Sequence, residues 1–253
     1  MKICRLSGPE PRMALLDGAG FRRLRDFHWA DPTIDPDGDP TPLDEAKLIA
    51  PVTPGKIVAV GRNYADHAKE LGNDVPAEPI LFLKPPSALL APGAAIEMPA
   101  ASNRVDFEGE LAIVIGRRAK NVDAAKWRDY VFGFTCANDV TARDLQKRDV
   151  QFTRGKSFDT FCPLGPWIET DLDPSDLAIR TRVNGATKQD ARTSLMIFPP
   201  AALIAFISGI MTLDPGDVIL TGTPAGVGPL AEGDTVEVEI EGIGTLRNHT
   251  RKA

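Results

Sequence analysis

VDFEGELAIVIG, residues 105–116, places Asp106, Glu108 and Glu110 at every second position among apolar residues and glycine. Side chains alternate across a strand, so the three acids share one face, and consecutive members stand roughly 6.5–7 Å apart at Cα from a rise of ~3.3 Å per residue. Two glutamates at that spacing can converge on one cation at ~2.0–2.5 Å each. They can equally form the solvated face of an antiparallel strand. The chain carries its own control. TVEVEIEG, residues 235–242, alternates Glu237, Glu239 and Glu241 with Val236, Val238 and Ile240 in the same way. One detail separates the two. The first acidic face continues through Ala112 and Val114 and becomes apolar, whereas the second stays polar until its glycine. Phe107, Leu111, Ile113 and Ile115 anchor the first strand to a core.

Working outward, strands are expected at KIVAVG (56–61), PILFLKP (79–85), YVFGFTCANDV (130–140), GPWIET (165–170), AIRTRVNG (178–185), DVILTGTP (217–224) and TVEVEIEGIGTLRNHT (235–250). Helices are expected at NYADHAKELG, closed by Gly72, at VDAAKWRDY and at PPAALIAFISGIM. Many strands, few helices and no regular βαβ alternation predict a mainly antiparallel α+β fold and argue against a doubly wound sheet. Residues 1–52 read as a small N-terminal β subdomain with a turn at Asp17-Gly18 and a linker in the Pro-, Asp- and Gly-rich DPTIDPDGDPTPLDE; residues 53–253 read as the main domain.

Composition narrows the function. The 253 residues are 43% hydrophobic and 25% charged, which supports a sizeable core. A net charge of −6 and a pI near 5.2 argue against a general nucleic-acid binder. No apolar run is long enough to span a bilayer, and MKICRLSGPEPR lacks the apolar core of a signal peptide, so a cytoplasmic protein is expected. Cys4, Cys136 and Cys162 are far apart and show no CxxC spacing, which suggests neither a disulfide framework nor a structural zinc site. With only three histidines, a carboxylate site for Mg, Mn or Ca is favoured over a softer metal.

Other segments bring chemistry that the acids can meet. In ANDVTARDLQKRD (137–149), Asp139 ends an apolar strand, and Arg143 and Gln146 follow at helical spacing; Arg143 can clamp a carboxylate, or the segment is simply an exposed helix. Lys156 lies in RGKSFDTFCPLGP, a predicted proline-closed loop, either as surface or as a fixed positive charge for an enolate. His67 and Glu70, three apart on a short helix, form either a surface pair or an oriented general base. LTGTPAGVGP (220–229) matches neither GxxxxGK[ST] nor GxGxxG; it leaves a tight turn whose backbone N–H groups and Thr223 hydroxyl can hold an anion.

Together and in order, GRNYADHAKE, LFLKPPSALL, VDFEGELAIVIG, GFTCANDVTARDLQ, KSFDTFCPLGPW, TRVNG and LTGTPAGVG resemble the fumarylacetoacetate hydrolase family over about residues 54–250. The resemblance implies a mixed β-roll-like core of the C-terminal type of that family and a homodimer. It implies a divalent cation, Mg²⁺ or Mn²⁺ with Ca²⁺ as a crystal substitute, on Glu108, Glu110 and Asp139, with Asp106 outside the ligand set. It implies roles near the substrate for Arg143, Gln146 and Thr223, which bind it, and for Lys156, which is catalytic with the water-activating pair His67 and Glu70. The long eukaryotic members carry a further metal-binding Asp upstream of the His, and IVAVGRNY has no acid there, so fumarylacetoacetate itself is disfavoured. The short form is more similar to bacterial 2-hydroxyhepta-2,4-diene-1,7-dioate isomerase/decarboxylases, acylpyruvate hydrolases and oxaloacetate decarboxylases. The expected activity is therefore metal-dependent turnover of a small 2-oxo or 2-hydroxy-enoate acid or diacid through an enolate, with isomerisation, decarboxylation or C–C hydrolysis as outcomes. One rival is a noncatalytic metal-stabilised binding protein, which a missing ligand would favour, and all three acids, the lysine and the His–Glu pair are present; a second is a calcium-stabilised β protein, which leaves His67, Glu70 and Lys156 without a task.

Overall fold

The computed structural model describes residues 1–18, 20–29, 36–44 and 46–253. Its centre is the Gly109–Ile115 strand, buried at every position. Alternation divides that strand between two cores. Leu111, Ile113 and Ile115 pack with Ile179, Val238, Ile240 and the helix residues Leu203, Ile204 and Ile207. Ala112 and Val114 pack with Ile57, Ala59, Val218, Leu220 and Leu164. A strand covered on both faces has no wet side, which is why LAIVI is an unbroken apolar run.

Its neighbours are Val131–Asn138, antiparallel, and Val218–Leu220, also antiparallel. From these the large sheet runs one way through Cys162–Glu169, Lys2–Leu6, Arg12–Leu16 and Phe21–Leu24 to Pro36–Thr41, and the other way through Ile57–Gly61 to Ile80–Lys84. The Val218–Leu220 and Ile57–Gly61 pair is parallel. A second sheet, ordered Ala186–Arg192, Ala178–Val183, Thr235–Ile240, Gly244–Lys252 and Ala95–Met98, covers one face together with the Pro200–Ile210 helix. The fold is α+β, mainly β. No helix among the described residues is long and apolar enough to cross a membrane.

Several expectations are sharpened. The 105–116 segment is not one strand: Val105–Phe107 pairs in a small sheet with Thr141–Ala142 and Gly228–Pro229, and the chain changes sheets at Glu108. The 235–250 segment is a hairpin of two strands. The VDAAKWRDY helix is a 3₁₀ segment, Ala124–Tyr130. Pro36–Thr41, inside the expected linker, pairs with Phe21–Leu24 instead of running free; the linker residues 31–35 and 45 lie outside the described residues. Glu237 and Glu239 pair with Arg247 and Arg182 at partly exposed positions, so the control segment is the half-wet strand its pattern predicts.

Gly109 lets the two sheets approach at the point where the chain changes sheet. A Cβ there would stand 2.1 Å from Thr181 Oγ1 of the covering sheet and 3.2 Å from Gln189 Oε1. Gly109→Ala is expected to lower stability by about 1–3 kcal/mol through overpacking, read as a lower denaturant midpoint, and Thr181→Ala in the same chain should recover part of the loss. An unchanged midpoint would mean that the contact yields freely.

Candidate metal centre and active site

Glu108 occupies the residue between the two strands, and neighbouring segments hold it there. Its N–H donates to Asn138 Oδ1 at 2.9 Å, and its carbonyl accepts from Asp139 N at 2.8 Å. This brings Asp139, just past the end of the Val131–Asn138 strand, beside the acids of the central strand. One carboxylate oxygen from each of Glu108, Glu110 and Asp139 lies within 4.8 Å of the others, and all three residues are buried.

Three cations meet these acids. Lys156 closes a single helical turn, Thr153–Lys156, and is buried rather than sitting in an exposed loop. Its Nζ donates to Glu108 Oε2 at 2.7 Å and to Asp139 Oδ2 at 2.6 Å. Lys84, at the end of the Ile80–Lys84 edge strand, donates to the other Asp139 oxygen at 2.5 Å. Arg143, which opens the Arg143–Asp149 helix, donates to Glu108, to Asp106 Oδ2 at 2.9 Å and to Gln146 Oε1 at 2.7 Å. Asp106 also accepts from Arg104 at 2.8 Å. Asp106 therefore anchors Arg143 and stands outside the three-acid cluster. Arg143 is held by protein groups on each side rather than standing as a free clamp.

Glu110 differs from its neighbours. Its carboxylate accepts from Gly222 N at 2.6 Å, and among the described residues no lysine or arginine forms an ion pair with it. Burial, then the charges of Asp139 and Glu108, lift its carboxyl well above the usual carboxylate range. Burial pushes Glu108 up too, but Lys156 and Arg143, with His67 behind them, outweigh it and hold that carboxyl well below the range. Burial disfavours the Lys156 ammonium, and Asp139 and Glu108 reverse this, raising it above an ordinary lysine. Three converging oxygens with one uncompensated carboxylate match the needs of a hard divalent cation, which takes oxygen ligands and supplies the missing positive charge.

A cavity of about 300 Å³ opens onto this cluster. Of the residues singled out in the sequence, Glu108, Glu110, Asp139, His67, Arg143, Gln146, Lys156 and Thr223 all line it. Glu70 stands behind: its Oε2 lies 3.2 Å from His67 Nδ1, and its Oε1 accepts from Gly226 N at 3.0 Å. His67 itself is buried. Thr223 donates to Gly109 O at 2.9 Å and accepts from Gln189 Nε2 at 2.7 Å. The 220–229 turn thus uses its N–H groups on Glu110 and Glu70 rather than on a free anion. Sequence reasoning passed over Lys84, Gln189 and the cavity residue Arg62. Lys84 had a usable signal, a lone cation ending an apolar strand.

The raised Glu110 carboxyl has a pH consequence. The unfolded chain ionises first, so the contribution of this group to stability is complete below the ordinary value of 4.5 and is lost as pH rises toward the folded value. In chelator, Glu110→Gln is expected to melt above wild type by a margin that widens as pH rises past the usual carboxylate range. Mn²⁺ at ~100 times its Kd should add ~2.7 kcal/mol to wild type and little to the variant. A variant that melts lower in chelator would show that Glu110 is already compensated.

A family model for the fumarylacetoacetate hydrolase C-terminal domain matches residues 56–251. A solved 2-hydroxyhepta-2,4-diene-1,7-dioate isomerase from Mycobacterium marinum is 48% identical, with a TM-score of 0.91, covering 100% of this chain and 98% of that one. A solved 5-carboxymethyl-2-hydroxymuconate delta-isomerase from Mycobacterium smegmatis is 44% identical, with a TM-score of 0.92 and 100% of each chain covered. The mitochondrial oxaloacetate tautomerase fahd2 of Xenopus laevis is 47% identical over 79% of this chain and 67% of its own length. The family match over most of the chain, joined to these likenesses, places the protein in the fumarylacetoacetate hydrolase family of enzymes.

Proposed function

We propose that the chain is a divalent-metal-dependent isomerase of a small 2-oxo or 2-hydroxy-enoate acid, of the 2-hydroxyhepta-2,4-diene-1,7-dioate isomerase/decarboxylase type, working through an enolate. The observation that carries this reading is the meeting, in one cavity, of a buried three-carboxylate cluster, a buried lysine and a buried histidine backed by a carboxylate. Glu108, Glu110 and Asp139 would hold Mg²⁺ or Mn²⁺, which when bound supplies the positive charge that makes a 2-oxo acid ionise at the adjacent carbon.

The chain's own residues do the rest. Lys156 keeps its proton between Glu108 and Asp139 and adds fixed positive charge beside the developing enolate oxygen. Glu70 Oε2 lies 3.2 Å from His67 Nδ1, so the tautomer with its proton on Nδ1 would donate to Glu70 and present Nε2 as the acceptor. In the proposed reaction Nε2 takes a proton from the carbon beside the 2-oxo group. Returning it to oxygen gives the enol, and returning it to a more distant carbon moves a double bond. Phe82, Phe152 and Leu71 give the cavity apolar wall and limit water around the enolate.

Both isomerase names among the relatives, and the tautomerase name, describe proton relocation without water as a reactant. That favours isomerisation over acylpyruvate-type hydrolysis, which must also admit and activate a water. Oxaloacetate decarboxylation shares the enolate and differs in the bond broken.

The test follows enol-to-keto conversion of oxaloacetate and of 2-hydroxyhepta-2,4-diene-1,7-dioate by absorbance, with Mg²⁺ or Mn²⁺ and then with excess EDTA. EDTA should abolish turnover, and His67→Ala should lower kcat about 10²–10⁴-fold. Turnover that survives complete metal removal overturns the reading. Stoichiometric CO₂ or a cleaved acid product would move it to decarboxylase or hydrolase.

A further inference from the structure

Asp106 is fully buried, yet it neither joins the three converging carboxylates nor borders the cavity. Burying a carboxylate is costly unless its partners compensate it. Its partners are two arginines in different settings. Arg143, 3% exposed, donates from Nε to Asp106 Oδ2 at 2.9 Å. Arg104, half exposed, donates from Nε to Oδ1 at 2.8 Å and from Nη2 to Oδ2 at 3.2 Å. A structural tie between the Val105–Phe107 strand and the Arg143–Asp149 helix does not account for this buried charge. Backbone already joins the two: Val105 and Asp106 pair with Ala142 and Thr141, and Arg143 N donates to Arg104 O at 2.8 Å.

What Asp106 does touch is the guanidinium that also holds Glu108. Arg143 Nη2 donates to Glu108 Oε1, and Lys156 Nζ donates to Oε2 at 2.7 Å. Both oxygens of Glu108 therefore have a cation on them, and a divalent ion must draw at least one away. How firmly the guanidinium sits on Glu108 decides how unfavourable that exchange is. Asp106 pulls on the same guanidinium at Nε, and Gln146 at Nη1 at 2.7 Å. The donors lie in one rigid plane, so the fork cannot turn further onto Glu108 without giving up Asp106. Asp106 also keeps the buried side chains short of positive charge: Asp106, Glu108, Glu110 and Asp139 face only Lys84, Arg143 and Lys156. Neutralising Asp106 would balance the acids and bases and leave a cation no charge to compensate.

We propose that Asp106 is a positioning residue for the candidate metal centre: it holds the Arg143 guanidinium back from Glu108 and so leaves that carboxylate open to a divalent cation. Arg104 opposes it, because it draws the same Asp106 oxygens toward the surface. This rests on the metal-dependent function proposed above, and it names two residues outside the ligand set that tune metal affinity in opposite directions.

Electron paramagnetic resonance of free Mn²⁺ reads that affinity during titration of the full-length, chelator-stripped protein. Asp106→Asn keeps the shape and removes the charge; it is expected to weaken Mn²⁺ binding about 10- to 100-fold, the usual effect of losing a partner behind a metal ligand. Arg104→Gln removes the exposed competitor and is expected to tighten binding about 2- to 5-fold, the range of one exposed ion pair. A purely structural tie would lower the Tm of both variants and would tighten binding in neither. Asp106→Asn binding Mn²⁺ as tightly as wild type, or Arg104→Gln binding it no more tightly than wild type, overturns the inference and leaves the proposed function standing. Should Asp106→Asn fail to fold, Arg104→Gln decides alone. If wild type takes up no Mn²⁺, the proposed function fails and this inference fails with it.

Discussion

The Lys156 ammonium, set between Glu108 and Asp139, is the contact on which the rest of the site depends. It joins the break in the central strand, the end of the neighbouring strand and a one-turn helix at 2.7 and 2.6 Å. At ~4 Å a unit pair is worth ~4 kcal/mol at an effective dielectric of 20, while removing each ion from water costs several kcal/mol. Attraction and desolvation are thus of similar size. A cluster with four buried acids, Asp106, Glu108, Glu110 and Asp139, against three buried bases, Lys84, Arg143 and Lys156, is a poor way to stabilise a fold. It is a good way to hold carboxylate oxygens at fixed separations with one of them uncompensated. That arrangement is costly in the empty protein and favourable around a divalent cation.

The backbone needed for this arrangement is set by packing against the second sheet. Because the chain changes sheets at Glu108, Glu108 and Glu110 are not held by a single regular strand, and their carboxylates can converge with that of Asp139 instead of standing in a row. Gly109 permits the turn because Thr181 occupies the space a side chain would need. Gln189, from the same covering sheet, accepts from Gly109 N and donates to Thr223, tying the 220–229 turn to the strand break. The three-carboxylate end of the cavity is thereby braced by residues far from it in sequence.

That distance explains what was legible in the sequence. The three acids, Lys156 and the His67–Glu70 pair carry local signals of alternation, helical spacing or chemical type, and they do line or back one cavity. The break at Glu108 has no local signal, since only the approach of Thr181 from another sheet demands it. The exposed Ala186–Arg192 strand was missed because it buries only Gln189 and has no apolar alternation to read. Pro36–Thr41 was missed because a Pro-, Asp- and Gly-rich composition also suits the edge of a sheet, where backbone pairing suffices. That Arg143 is held by Asp106, Glu108 and Gln146, and Thr223 by Gly109 and Gln189, has no local signal either, because a sequence shows which donors exist and not which acceptors inside the protein hold them.

The same distinction between matched and unmatched groups bears on how relatives with different substrate names can share one core. On the proposed function, Glu108, Glu110, Asp139 and Lys156 would serve any 2-oxo acid, because they would face what all such acids have in common. Discrimination has to come from the lining beyond them, on the 61–73 segment and around residues 147–152. That lining mixes Arg62 and Asn73 with Leu71, Val150 and Phe152, and a distal group is selected by which of these it leaves unsatisfied. Arg62, Leu71, Asn73, Val150 and Phe152 stand in turns and at helix ends rather than in strands of the braced core, so their side chains can change without disturbing the ion cluster. A buried charge cluster of this kind constrains the near end of the site tightly, and it is that constraint that frees the far end to vary.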